Sequence, residues 1–497
     1  MSKPRYRYLV GPDGLAGAAC VGAGRLITAR GRGGVNLPSV HGRLEFPAHT
    51  LAGDRGALTL WLLALDDLAA AQIPPHTRRI EPDSMIWGLL ADTPDRRNLD
   101  QAGFALVYTQ DWGLQLRARF VRARSPSLGR HAGKALAGPD DFHFRRGRWY
   151  QIGLSWDKPR AKFLMCVNGV TVYHGYLFRD TATYDPCGPT LYGGHPAFAL
   201  SELSFYERWL SAAELRERYR AERVEPDDEL DAELARTHAG VGLPACDWQP
   251  DAAWHEDWNL PLNRAEDLAA FHVQGMQSAP AVTPEGLRIT TSLTDPPTLA
   301  DSDREQVYLW SRRTFAGDLA LELEFKLLRP NGLALLMLQA AGMQREDFMA
   351  DYPLRETGSM RMVCWENVRN YHWEFYREMD NCRHDTSTHL LVKNPWMYPL
   401  AFGCGPARLA QGAWHRLRWI QEGPRLRGVL DGLTLFDVRD SARINCGPVY
   451  DFGRLALRCM WKTDLIFRNL RVWTRPPPYH CDPLPATTDH PNPEGSS

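Results

Sequence analysis

Apolar and polar residues alternate along most of the chain in short runs that Gly, Pro, Asn and Asp interrupt. A period of two with frequent breaks predicts β-strands rather than helices. Residues 56–65 (GALTLWLLAL), 149–157 (WYQIGLSWD) and 161–175 (AKFLMCVNGVTVYHG) read as strands, the last folded back at Asn168-Gly169. Asn-Gly suits a tight hairpin because both residues accept a positive φ. The stretch ELSFYERWLSAAELRERY begins as a strand and switches to a helix, where Ser211 stands three residues before Glu214 as in a capping box.

This order recurs. Residues 412–438 (GAWHRLRWIQEGPRLRGVLDGLTLFDV) repeat the layout of 147–173: Gly-x-Trp, an alternating strand, a turn, a strand ending at Asp-Gly or Asn-Gly, then another strand. Residues 453–473 parallel the closing strand near residue 200. A spacing near 265 residues (412 minus 147) indicates one β domain used twice, not a solenoid. The predicted fold class is all-β. It comprises a sandwich at 1–219, a short helical, acidic linker at 220–250 and a second sandwich at 251–475. The linker reads as a solvated face. The last 23 residues hold seven prolines and little to bury, so 476–497 is expected to be an extended or disordered tail.

Composition narrows the picture. At 497 residues, 44% hydrophobic and 24% charged, the chain has the make-up of a folded soluble protein of two or three domains. A net charge of -1 gives no long-range attraction to nucleic acid or an anionic membrane, and neither is expected as a partner. No apolar run reaches the roughly 18 residues of a transmembrane helix. The first 20 residues lack the pattern of a secretory signal. Ten scattered cysteines, with no Cys-x-x-Cys, fit reduced thiols better than disulfides or zinc, and a cytoplasmic setting is expected. Seventeen Trp lift the prospect of sugar stacking modestly, although buried core would also account for them.

Two resemblances sharpen this. RGRWYQIGLSWDKPRAKFLMCVNGVTVYHG followed by LSELSFYERWLSAAEL makes residues 40–220 resemble the laminin-G-like members of the concanavalin A-like lectin/glucanase superfamily. That implies a jelly-roll sandwich and says little of function. Residues 303–348, NYHWEFYRE (370–378) and NCRHDTSTHLL (381–391) make 255–475 resemble the bacterial family of uncharacterised proteins typified by YesU, also of concanavalin A-like fold. Its members sit among genes for plant cell-wall polysaccharide use, so carbohydrate-related work is implied. The family's His, aromatic pair and Arg fall on His372, Phe375, Tyr376 and Arg377; its Asn-x-Arg falls on Asn381 and Arg383, and its next His on His389. Where the family often has Lys, this chain has His384.

If 370–377 is a strand, Tyr371, Trp373 and Phe375 share one face and suit the core, while Asn370, His372, Glu374 and Tyr376 share the other. An amide, an imidazole, a carboxylate and a phenol suit a groove that grips hydroxyls. Such a face supports elimination at a uronic acid: Arg383 with Asn381 neutralising the carboxylate, His372 as base and Tyr376 as acid. Asn370, Glu374, Arg377 and His389 would contact substrate, while Trp365 and Trp396, with Tyr398, would serve either as stacking rings or as core. Hydrolysis would need two carboxylates, for which Glu374 and Glu378 are candidates, but the Glu-x-Asp-x-x-Glu signature of the superfamily's glucanases is absent. The spacing of His384, Asp385 and His389 does not specify a metal site. No cofactor is implied; jelly rolls of this superfamily often carry a structural calcium ion, yet no acidic loop here names ligands for one. In the first domain His174, Tyr176, Tyr192 and His195 fall near loop ends and read equally well as structural.

The expected ligand is an oligosaccharide from plant or microbial polysaccharide breakdown. Three uses of the face stay open, a β-eliminating lyase, a glycoside hydrolase, or a non-catalytic carbohydrate-binding protein, beside a scaffold that uses both sandwiches for protein contacts. The sequence leaves the oligomeric state undetermined.

Overall fold

A computed structural model describes residues 3–11, 14–38, 42–48, 54–67, 86–91, 104–109, 115–121, 133–137, 144–160, 162–176, 189–193, 197–237, 247–275, 280–291, 306–329, 332–351, 358–360, 363–364, 367–378, 388–395, 398–404, 409–440, 448–460 and 462–476. They form two jelly-roll β-sandwiches of antiparallel strands. In the first, a sheet containing Arg55–Ala64, Trp149–Asp157, Lys162–Val167, Val170–Tyr176 and Phe198–Tyr206 faces a seven-stranded sheet. In the second, Asp318–Leu327, Trp414–Glu422, Arg425–Leu430, Leu433–Arg439 and Asp464–Arg475 face an eight-stranded sheet. Among the described residues no helix is long and apolar enough to cross a membrane.

The repeated sequence folds alike in both copies. Asn168 and Gly169 have φ of 48° and 71°, and Asp431 and Gly432 have 49° and 80°. Positive φ at both central residues lets a two-residue hairpin follow the twist of its strands. The turns leave two equivalent strands, Val170–Tyr176 and Leu433–Arg439, at the edges of their meanders. These two strands pair with each other, His174 opposite Asp437 and Gly175 opposite Phe436. One sheet of 17 strands therefore runs through both sandwiches. Sequence reading expected only a linker between them; pairing closes an edge on each that would otherwise be open.

Among its described residues the linker is packed along one side, while its acidic centre, Asp228 and Glu229 included, is exposed as a solvated face would be. The capping box is formed, with Ser211 Oγ accepting from Glu214 N at 3.3 Å and Glu214 Oε2 accepting from Ser211 N at 2.8 Å, and opens the helix Ala212–Glu222. The next helix, Asp228–Thr237, buries Leu230 and Leu234 in the main core. Its Asp231 accepts from Tyr219 Oη at 2.6 Å and from Asn168 Nδ2 at 3.3 Å. Docking follows from two leucines four residues apart on one helix face. The disordered tail expected after 475 lies outside the described residues beyond Pro476.

Two features hold the second sandwich together. Trp373 packs edge-to-face on Phe436, with ring centroids 5.2 Å apart. Gly428 lies beneath both rings, and a Cβ there would stand 2.4 Å from Phe436 and 2.9 Å from Trp373. Nearby, Asp440 accepts from Tyr371 Oη at 2.5 Å and from Lys393 Nζ at 2.9 Å, all three fully buried. Burial, and then the Asp440 charge, push the Tyr371 hydroxyl well above its ordinary pKa, so it stays a neutral donor. Tyr371 Oη accepts in turn from Tyr450 N at 3.0 Å.

Gly428→Ala is expected to cost about 1–3 kcal/mol by overpacking, measured by chemical denaturation. Asp440→Ala is expected to cost about 3–5 kcal/mol, because it strands a buried ammonium. In the same measurement, Lys393→Met combined with Asp440→Leu should recover most of that loss. If the double variant is no more stable than Asp440→Ala, the pair does more than neutralise itself.

Candidate outer-face binding site

The strand Val368–Glu378 lies between Gly332–Gly342 and Thr388–Asn394 in the eight-stranded sheet. Tyr371, Trp373 and Phe375 point into the core between the sheets, as alternation predicts. His372 lies opposite Met337, and Glu374 opposite Leu335, on the outer face. Alternation then fails: Glu374 pairs with Leu335 but Tyr376 pairs with Ala334, so Phe375 is an extra residue. A bulge of one residue turns every following side chain to the other face. Tyr376 accordingly joins Phe375 in the inner core, 2% exposed. The expectation that Tyr376 shares a face with His372 is corrected by that bulge.

The outer face is built from neighbouring strands in register. Tyr308, Arg458, Leu335 and Glu374 form one row across the sheet; Trp310, Ala456, Met337 and His372 form the next. Tyr308 and Trp310 stack with ring centroids 5.3 Å apart and planes 5° from parallel. Trp310 Nε1 donates to Gln274 Oε1 at 2.8 Å on the edge strand Phe271–Gln274. The Arg458 guanidinium lies 4.8 Å from the Tyr308 ring centroid and donates to Gln306 Oε1. His372 Nε2 is 3.7 Å from Glu374 Oε1, and its Nδ1 is 3.8 Å from Cys364 Sγ.

This face is not the open groove that the sequence suggested. His372, Glu374 and Arg458 are 1%, 4% and 0% exposed. Phe348, Val363 and Cys364 pack on the same side as Tyr308, Trp310 and Met337, forming a cover. The Cys364–His372–Glu374 line resembles a nucleophile with its base. Burial, however, pushes the Cys364 thiol up to about 12, so it is neutral and unreactive at ordinary pH. Two residues along the strand from Ala456, Arg454 holds Asp347 through two bonds of 2.7 and 2.6 Å and keeps that carboxyl below its usual range. Burial, with Arg312 and Arg454, holds the His272 imidazole below its ordinary pKa against the pull of Asp347.

The remaining expected residues do not form part of the two rows. Asn370 is fully buried, donates to Val363 O at 2.7 Å and accepts from Asn394 Nδ2 at 3.0 Å, so it ties the cover to the sheet. Arg377 lies on its strand opposite Leu333, and His389 opposite Gly403. Asn381, Arg383, His384, Asp385, Trp365 and Trp396 lie outside the described residues. Among the described residues, no group of three or more His, Cys, Asp or Glu could hold a metal ion. In the first sandwich His174 sits at the junction with its ring 6.3 Å from Trp209, Tyr176 and Tyr192 lie on strands, and His195 is outside the described residues. Sequence reasoning missed Tyr308, Trp310, Gln306 and Arg458. The two rings, spaced i and i+2 in VYLWS, were the available signal; Arg458 came from a strand read only as closing the sandwich.

An open basin of about 460 Å³ lies on the opposite sheet, lined by Trp414, His415, Arg416, Arg418, Glu324 and Asp431, among others. Its charges are matched. Glu324 accepts from Arg468 at 2.7 Å and Arg416 at 3.1 Å, His415 Nδ1 is 2.8 Å from Asp431, and Arg418 pairs with Glu322. The Trp414 ring is already covered by Arg468, 3.6 Å from its centroid. Paired rows of this kind are an ordinary solvent face of a sheet.

No functionally curated protein matches the chain. Among solved structures, it is similar to a Bacillus subtilis protein of unknown function with a galectin-like fold, at 20% identity and a TM-score of 0.39 over 44% of this chain and 97% of that one. It is also similar to the carbohydrate-binding module CBM66 from Bacillus subtilis, at 14% identity and a TM-score of 0.26 over 40% of this chain and 93% of that one. A third is domain 4 of AbnA, a GH43 extracellular arabinanase from Geobacillus stearothermophilus in complex with arabinotriose, at 16% identity and a TM-score of 0.23 over 42% and 79%. Residues 258–472, which hold the outer face described above, match the family model of a domain of unknown function, DUF1961.

Proposed function

We propose that the protein is a non-catalytic carbohydrate-binding protein that takes an oligosaccharide on the outer face of the eight-stranded sheet. The observation that carries this reading is the parallel Tyr308–Trp310 stack set beside His372, Glu374, Arg458 and the amides of Gln274 and Gln306. A sugar presents C–H faces to rings and paired hydroxyls to planar polar groups, and this face offers both. Polar and charged side chains withdrawn from water are costly to a fold that needs only packing, so their clustering favours a ligand. Because the rows are buried, this reading requires the cover of Phe348, Val363 and Cys364 to shift when sugar is taken up. In a cytoplasmic setting the ligands would be imported oligosaccharides rather than intact polymer.

Binding is preferred to elimination because a base and an acid must converge on one substrate atom. His372 and Tyr376 lie on opposite faces of their strand. Titration calorimetry against plant and microbial oligosaccharides is expected to find a binding class. Trp310→Ala and Glu374→Gln should each weaken it by about tenfold or more, about 1.4 kcal/mol. Arg416→Ala, in the matched basin, should leave it unchanged. Release of an unsaturated product detected by ultraviolet absorbance, and lost in His372→Ala, would replace this reading with elimination. New reducing ends would replace it with hydrolysis.

A further inference from the structure

We infer that Arg458 is the carboxylate-recognising group of this face, and that the oligosaccharide it takes is acidic, carrying a uronate residue. This rests on the binding reading above and adds the ligand's charge to it. Arg458 is 0% exposed, yet it forms no ion pair among the described residues. Its visible contacts are one bond to the neutral amide of Gln306 and the face of the Tyr308 ring. Its Nε has no hydrogen-bond partner among the described residues. A guanidinium does not shed its proton to escape burial. An amide and a ring leave its charge unmatched.

Two other buried arginines of this domain are treated differently. Arg454 holds Asp347, and Arg427 holds Glu422. Arg369 also has no carboxylate partner among the described residues, but it lies 5.1 Å from the ring centroid of Tyr450, which belongs to the core between the sheets. Arg458 instead shares a row with Glu374, one strand beyond Leu335. Two strand spacings, about 10 Å, separate those positions. That span lets a uronate set its planar carboxylate on the guanidinium fork while its hydroxyls reach Glu374. The two-pronged contact is the geometry guanidinium and carboxylate share, and exclusion of water strengthens it.

The test is calorimetry of the full chain with galacturonate, glucuronate and mannuronate oligosaccharides, each beside its carboxyl-reduced neutral counterpart. At least one acidic sugar is expected to bind tenfold or more tighter than its reduced form. Arg458→Met should bring that ratio close to one. It should also raise the melting temperature of the ligand-free protein, because it removes an unmatched buried charge. A purely structural arginine would instead lose stability on this change and leave the acid preference standing. Should Arg458→Met fail to fold, Arg458→Lys keeps the charge without the fork and is expected to give an intermediate ratio. If the wild type binds reduced sugars as tightly as acidic ones, the carboxylate assignment is overturned while sugar binding stands. If neither form binds, both are overturned.

Discussion

The arrangement of the second sandwich hangs on strict alternation along Val368–Glu378, and on the single place where alternation breaks. As far as Glu374 each residue has one allotted side: Tyr371 and Trp373 go to the core, His372 and Glu374 to the outer rows. Packing between the sheets enforces this, because Trp373 has a place only over Gly428 and beside Phe436. The extra residue at Phe375 then sends Phe375 and Tyr376 to the core together. A phenol that would have completed an acid–base pair with His372 becomes part of the hydrophobic interior. One inserted residue thus separates a surface that could transfer protons from one that can hold a ligand.

The same economy of edges explains how two sandwiches make one body. Each copy of the repeated meander ends in a strand whose outer edge has unpaired backbone groups. Val170–Tyr176 and Leu433–Arg439 satisfy one another antiparallel, as equivalent surfaces meeting across a local two-fold would. The helical segment after residue 211 does not act as a tether. Its leucines join the main core, so the connection is packed on one side and hydrogen-bonded on the other.

Local signals carried the fold. The Asn-Gly and Asp-Gly turns, the capping box at Ser211 and the apolar alternation at 56–65 and 149–157 each act over a few residues, and each is realised. What escaped the sequence is non-local or subtractive. Pairing of Val170–Tyr176 with Leu433–Arg439 depends on which edges remain open after both sandwiches close. The bulge at Phe375 depends on the register chosen by Gly332–Gly342, a strand with little to mark it but apolar side chains. The rows on the outer face combine Tyr308 with Arg458, 150 positions apart in sequence, so no window along the chain could place them together. His372 and Glu374 were legible because they lie on one strand; their burial was not, because the cover comes from residues around 348 and 363.

Polar groups inside this protein fall into two kinds, and the distinction bears on function more than burial does. Lys393, Asp440 and Tyr371 are buried and mutually satisfied, ammonium against carboxylate and hydroxyl between them. Such a set specifies how two sheets meet and asks for nothing further. The ion-paired rows around Trp414 are likewise closed accounts, although that basin is the more accessible of the two surfaces. On the outer face of the eight-stranded sheet the balance is different, since Arg458 is as deeply buried as Asp440 and, among the described residues, has only a neutral amide and a ring beside it. An opening in a surface shows where a molecule could sit, whereas an uncompensated charge shows what kind of molecule would lower the free energy by sitting there. By that criterion the covered face is the better candidate site.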